Sequence, residues 1–325
     1  VDTLGLVQPD GPLAGSIQPD DLLVGRIAAD GHQTLKASEF WSLPADPGTF
    51  LGRSAADLVG DGLDPDLADR IVVLLDRAVA LAFELDRYEE SGIRTLTPHD
   101  KGYPTRLRER LGNRAPAVLH VAGDPALLAG PSVGIVGSRE VSEDGAEVAV
   151  SIARRTVQGG RSVLSGAAWG VDHLAMNEAW DSGGRMVGVL ADSLTRVLRQ
   201  TDVRSGIMNG STAMVTPYDP EAKFSVGNAM GRNKIVYALS SLTVVVAADK
   251  DSGGSWAGAT EALRSGFGRV AVWRGTGEGP GNAALEARGA RRVSTVADLD
   301  AVLAEPDIAA PVEVVAPPIQ DSLFL

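Results

Sequence analysis

The sequence contains no cysteine, which excludes disulfides and thiolate metal sites. Its four histidines, His32, His99, His120 and His173, are scattered, and none pairs at ligand spacing, so no metal site is expected. No apolar stretch approaches the length of a membrane span. The opening VDTLGLVQPDGPLAG lacks a basic n-region and an apolar core, so a cytoplasmic protein without a signal peptide is expected. G-x-G-x-x-G is missing, and with it the dinucleotide fingerprint. Positive charge is also in deficit, with 30 Lys and Arg against 42 Asp and Glu and a net charge of −12. Nucleic-acid binders draw much of their affinity from neutralising phosphates. The total charge therefore opposes such a ligand, although a local basic groove on an acidic body satisfies the same physics. What remains is an ordinary globular composition, 44% hydrophobic, long enough at 325 residues for two domains or one large one.

Three segments are read along the chain. Residues 1–92 read as a small helical N-terminal domain. DDLLVGRIAADG is a short amphipathic segment, and SEFWSL opens on a serine cap signal. DPDLADRIVVLLDRAVALAFELDRYEESG predicts one long helix. In it Ile71, Leu74, Leu75, Ala78, Val79, Ala82 and Leu85 recur at three- and four-residue spacing, and Gly92 is a C′ stop. Residues 93–304 alternate strands and helices. The strands are continuous apolar runs, as in a parallel sheet covered on both faces. An α/β fold is expected, a doubly wound, mostly parallel Rossmann-like sheet. Residues 305–325 are proline-rich and read as a tail.

Ligands of such sheets sit at the carboxyl ends of the strands, so the strand ends are the candidate site. SVGIV runs into Gly137, Ser138 and Arg139, glycine for close backbone approach and arginine for phosphate. The next strand ends in Ser165, Gly166, Ala167, Ala168, Trp169, Gly170, Val171 and Asp172. Trp169 serves either packing or a stacked base, and Asp172 either a helix dipole or a ligand. Asp192 or Ser193 caps a helix near 192–199. KFSVGNAMGRNKIVYALS carries Lys223, Arg232 and Lys234 with no acid between Ala222 and Ile235, together with Phe224, Asn228 and Asn233. A basic, amide-bearing helix start behind an aromatic suits phosphates and a stacked base. Gly253, Gly254 and Ser255 follow LTVVVAA and open a helix of small residues, a further anion cradle. With no nucleophile–base pair in view, these strand ends call for a phosphate-bearing ligand, a nucleotide or a nucleic-acid backbone. No cofactor is implied.

GIVGSR, SGAAWGVD, GRNKIVYALS and GGSWAGA, in this order and spacing, resemble the DNA-processing protein A (DprA/Smf) family. The resemblance runs over roughly residues 37–300 and is supported upstream by GIRTLTPHDKGYPTRLRERL. It implies an extended Rossmann-like domain that binds single-stranded DNA, forms a homodimer and helps load a RecA-type recombinase during DNA uptake and recombination. It implies backbone contacts at Gly137, Ser138, Arg139, Ser165, Gly166, Lys223, Arg232, Asn233, Lys234, Gly254 and Ser255. The chain departs from the family pattern in three places. Trp169 stands where the family has arginine, GNAMGRNK replaces F-P-x-R-N-R, and GGSWAGA replaces S-G-S-L-x-T-A.

Two alternatives share the superfamily, a lonely-guy-like phosphoribohydrolase and a nucleotide sensor of a defence system. The hydrolase reading nominates Glu261, paired with Arg232, as the carboxylate beside the sugar. In the tail, QDSLFL is similar to the sliding-clamp binding peptide, with Gln320, Leu323 and Phe324 as anchors.

Overall fold

The computed structural model describes Leu23 and residues 34–306. All of the amphipathic segment near residue 20 except Leu23 lies outside the described residues, as do Gln320, Leu323 and Phe324.

From residue 34 the described helices begin with α1 (Ala37–Trp41), α2 (Ala55–Gly60), α3 (Pro65–Leu75) and α4 (Ala78–Glu90). Local chemistry fixes their starts. Ser54 and Asp57 form a reciprocal capping box on α2, and Asp64 caps α3 with Pro65 at its first position. Lys36, not Ser38, occupies the N-cap of α1. The long helix expected over this region is two helices, broken at Arg77, whose φ of −92° and ψ of 17° are not helical. The break resets the helical phase. Val79, expected on the apolar stripe, is 71% exposed, while Leu81 and Tyr88 turn inward. Gly92 takes φ 78°, as a C′ glycine does. Leu58, Ile71, Leu74 and Leu81 form an apolar core of their own, joined by Ala117 and Val118 from the segment leading into the sheet.

Nine strands follow among the described residues. β1 (Ile93–Leu96), α5 (Thr105–Leu111), β2 (Leu119–Gly123) and α6 (Ala126–Ala129) lead to β3 (Ser132–Val136). The alternation continues through α7 (Glu143–Gln158), β4 (Ser162–Ser165), α8 (Val171–Asp181) and β5 (Met186–Val189). Two short helices come next, α9 (Leu194–Val197) and α10 (Thr201–Met208); the sequence pattern predicts only the first. Ser193 caps α9 by accepting the Arg196 N–H at 3.1 Å. β6 (Thr212–Thr216), α11 (Val226–Leu239), β7 (Leu242–Val245), α12 (Gly253–Ser265) and β8 (Val270–Trp273) follow. The last elements are α13 (Asn282–Ala287), β9 (Arg291–Val293) and α14 (Val296–Ala304).

The sheet order is β1-β2-β6-β5-β4-β3-β7-β8-β9. β1 and β2 run antiparallel at one edge, and every pair from β6 to β9 is parallel. Strands β3 to β7 are buried at every position, because helices cover both faces. From β3 the chain winds one way through β4, β5 and β6, then returns to the other side with β7, β8 and β9. That reversal is the topological switch point, where the loops after neighbouring strands part and leave a crevice.

Candidate functional site

A cavity of about 550 Å³ occupies this crevice. The loop after β3 brings Gly137, Ser138 and Arg139 to it, α11 brings Arg232 and Asn233, and the start of α12 brings Ser252 to Ser255. The β3 loop is tied down at both ends of Ser138. Its N–H donates to the Ala247 carbonyl at 2.8 Å, and its Oγ accepts from the Glu140 N–H at 3.2 Å. Gly137 is small for the sake of packing: a Cβ there would stand 2.5 Å from Val171 Cγ2, at the root of α8.

The start of α12 differs from those of α7, α9 and α11. Ser142, Ser193 and Ser225 each accept a backbone N–H as side-chain caps, whereas Ser252 makes no such bond. The first N–H groups of this 13-residue helix therefore lack a side-chain cap where they meet the cavity. Uncapped N–H groups and the positive end of the helix dipole suit an anion. Gly253 takes φ 78°, which favours glycine. Asn233 Nδ2 donates to the Gly254 carbonyl at 3.1 Å and joins α11 to α12.

Below the cavity lies a buried ion pair. Arg232 Nη1 is 3.6 Å from Asp172 Oδ2, and both side chains are over nine-tenths buried. Asp172 Oδ2 also accepts the Gly166 N–H at 3.0 Å. Burial pushes the Asp172 carboxyl above the usual carboxylate range, while Arg232 and the Ala168 and Gly166 N–H groups pull it back. Burial likewise lowers Arg232 from its ordinary value, with Asp172 opposing and the nearby charge of Arg139 adding a smaller push. Asp172 therefore does more than favour a helix dipole, since it anchors the guanidinium that floors the site. Beside it the Tyr237 hydroxyl is buried, has no hydrogen-bond partner among the described residues and is raised by burial.

A second cavity, of about 580 Å³, adjoins the first across Arg139, Ala168 and Arg232. Trp169 and Phe224 line it and stay 74% and 53% exposed. The Trp169 ring meets His173 edge-on at 4.9 Å, and the Arg139 guanidinium lies 5.8 Å from the Phe224 ring centre. Ala167 and Asp251 are the two non-glycine described residues with positive φ, 52° and 60°. Ala167 lines the second cavity, and Asp251 precedes Ser252 at the first. Each costs about 1 kcal/mol of backbone strain.

Several sequence expectations are corrected. Ser165 is fully buried and donates its hydroxyl to the Ile135 carbonyl at 2.6 Å, so it is closed to a ligand. Gly166 is buried too but lines the second cavity, and it leaves room for Arg232: a Cβ there would overlap Nη1. Lys223 and Asn228 line neither cavity; Asn228 instead donates its N–H to Ser225 Oγ and accepts the Tyr218 hydroxyl on its carbonyl. Lys234 faces a different cleft and pairs with Glu261 at 3.3 Å, so the Arg232–Glu261 pair does not form. Ser252 and Tyr237 line the cavity without having stood out in the sequence. The signal for Ser252 was its place before Gly253-Gly254 at a helix start. Two exposed carboxylates, Glu140 and Asp249, also border the cavity and temper its positive field.

Residues 94–303 match the family model described as DNA recombination-mediator protein A. The chain belongs to this family. It is 30% identical over 184 residues to the DNA processing protein DprA of Bacillus subtilis, covering 56% of this chain and 61% of that protein. The chain thus matches under two thirds of that relative's length. Among solved structures, DprA from Streptococcus pneumoniae superposes with a TM-score of 0.59 at 23% identity, over 82% of this chain and 98% of that one. DprA from Helicobacter pylori, solved to address its single-stranded DNA binding, gives 0.52 at 22% identity, over 65% and 95%. These two likenesses establish the shared DprA fold.

Proposed function

We propose that this chain is a single-stranded DNA-binding protein of the DprA type that grips the phosphate backbone in the switch-point cavity. The observation that carries the reading is the meeting of Arg139, Arg232 and the uncapped N-terminus of α12 in one crevice. Forked guanidinium groups and free N–H groups recognise phosphate oxygens without reading sequence. The Helicobacter pylori relative, studied for its binding of single-stranded DNA, supports the same ligand class. Glu140 and Asp249 limit the field, so few phosphates are neutralised and the salt dependence is modest for a DNA-binding protein.

Arg139→Ala tests this directly, because Arg139 is exposed and can be removed without opening the core. Binding of single strands measured by fluorescence anisotropy should fall about tenfold at ~0.1 M salt, equally for all base compositions. The slope of log K against log salt should flatten by about 0.7, one contact's worth on a single strand. Unchanged affinity and slope would remove the cavity from DNA binding.

By the same reading the chain forms a homodimer, assists DNA processing and recombination by passing its strand to a RecA-type recombinase, and uses residues 320–325 to reach a sliding clamp. Sedimentation should give twice the chain mass, and recombinase filaments should nucleate faster on strands coated with the protein. Removing residues 320–325 should abolish capture by the clamp; capture that survives the truncation refutes that contact.

A further inference from the structure

We infer that a cleft between α1, α5 and α11 is a docking site for the chain's own residues 320–325, QDSLFL. The inference is independent of the clamp contact proposed above. Lys234 lines this cleft and Arg232 does not, so it lies on the far side of α11 from the switch-point cavity. Its walls are the apolar side chains of Leu35, Leu111, Val118 and Ile235, and Arg114 and Lys234 bring two cations to it. At about 210 Å³ it is smaller than the roughly 300–1,000 Å³ of small-molecule sites and suits one or two side chains of a peptide.

The cations call for an acidic partner. Arg114 is exposed, lies over the Phe267 ring at 4.4 Å and has no carboxylate partner among the described residues. Arg108, over the Trp41 ring at 4.1 Å, and Arg264, three residues before Phe267, likewise have none among them. Lys234 shares its charge with Glu261, and Glu109 is the one acid on α5. Such an excess of arginine stands out in a chain of net charge −12. The tail has the opposite character. Residues 307–325 carry Asp307, Glu313 and Asp321 and no Lys or Arg. Asp321 stands within three residues of Leu323 and Phe324, an acid beside two apolar anchors. The acidic residues 1–22 hold no aromatic side chain, which favours the tail as the occupant. The tail also sets out from the right place. Glu305 pairs with Arg269, two residues beyond the Phe267 that Arg114 covers. From there residues 307–319 can span up to about 45 Å, against a radius of gyration of roughly 20 Å for a chain of this length. Docked, Phe324 enters the apolar slot and Asp321 meets Arg114.

The test titrates a labelled, amidated peptide of residues 315–325 into the full chain and into the chain lacking residues 320–325. A tethered segment competes at an effective concentration on the order of 1 mM, so the shortened chain should bind the peptide at least about tenfold more tightly than the full chain. In the shortened chain Arg114→Glu should weaken the peptide about tenfold. Asp321→Lys in the peptide should recover most of that loss, because the charges are then exchanged, and Phe324→Ala should weaken binding to either chain. Equal binding to the two chains, or binding to neither, overturns the inference. Full-strength binding to the Arg114→Glu chain does so too, since the peptide then sits elsewhere. A difference between the chains that vanishes on dilution gives the site to the tail of a second copy, and one that requires removal of residues 1–22 gives it to the N-terminal segment; either refutes docking of residues 320–325 on their own chain. If a single DNA strand displaces the peptide and Arg114→Glu weakens both equally, the cations serve nucleic acid and the inference fails.

Discussion

Arg232→Ala is expected to destabilise the protein by about 3–5 kcal/mol, because it leaves the Asp172 carboxylate buried without its counter-charge. The N–H groups of Gly166 and Ala168 remain as donors. They do not compensate a full charge on a carboxylate this deeply buried. The loss should depend on pH, with a sign set by Asp172. Burial already holds its folded pKa above that of the unfolded chain, so the folded state binds the Asp172 proton more tightly. The stability contributed by that proton is present at low pH and is lost as pH rises through the folded pKa. Without Arg232 the folded pKa climbs further. The deficit of the variant against the wild type should therefore be smallest in acid and largest near neutrality. Urea midpoints for both proteins, measured from acid to neutral pH, report this difference. Adding Asp172→Asn should recover much of the neutral-pH loss, since the amide carries no charge. A deficit that is flat with pH, or no recovery in the double variant, would mean that the pair does not carry the stability assigned to it.

Much of this arrangement was legible in the sequence, and the failures have physical causes. Apolar runs alternating with amphipathic stretches predict the parallel sheet, and the glycine-bearing strand ends mark the crevice. Arg139, Arg232 and the Gly253–Ser255 turn do converge there. Lys234 does not, and helix geometry forbids it: two residues along a helix turn a side chain by about 200°, so Arg232 and Lys234 cannot share a face. Counting cations in a stretch ignored that rotation. The break at Arg77 was hidden because neither proline nor glycine marks it. Ser165 looked needlessly polar at a strand end, yet its hydroxyl satisfies the carbonyl of the neighbouring β3. Asp172 was ambiguous for a deeper reason. Its partner comes from α11, far along the chain, and only the winding of the sheet brings the two together. The same holds for Gly166, whose smallness answers to a side chain that the local sequence does not contain.

That dependence yields the second large effect. Gly166→Ala should cost about 3 kcal/mol or more and remove single-strand binding, although it adds one methyl group. The added Cβ would overlap Arg232 Nη1 and lie 2.8 Å from Asp172 Oδ2, so the guanidinium must leave its place beside the carboxylate. Backbone strain plays no part, since Gly166 is absent from the positive-φ glycines. Most of the penalty comes from evicting Arg232, with a smaller part from the close approach to Asp172 Oδ2, and this makes the two sites non-additive. Once Arg232 is alanine, the methyl group meets no guanidinium and only the Asp172 carboxylate has to give. The Gly166→Ala, Arg232→Ala double variant should therefore be about as stable as Arg232→Ala alone, and denaturant titration of the four proteins gives the coupling directly. Losses that simply add would show that residue 166 collides with something other than Arg232. The floor of the crevice would then need another explanation than a glycine shaped to hold a buried arginine.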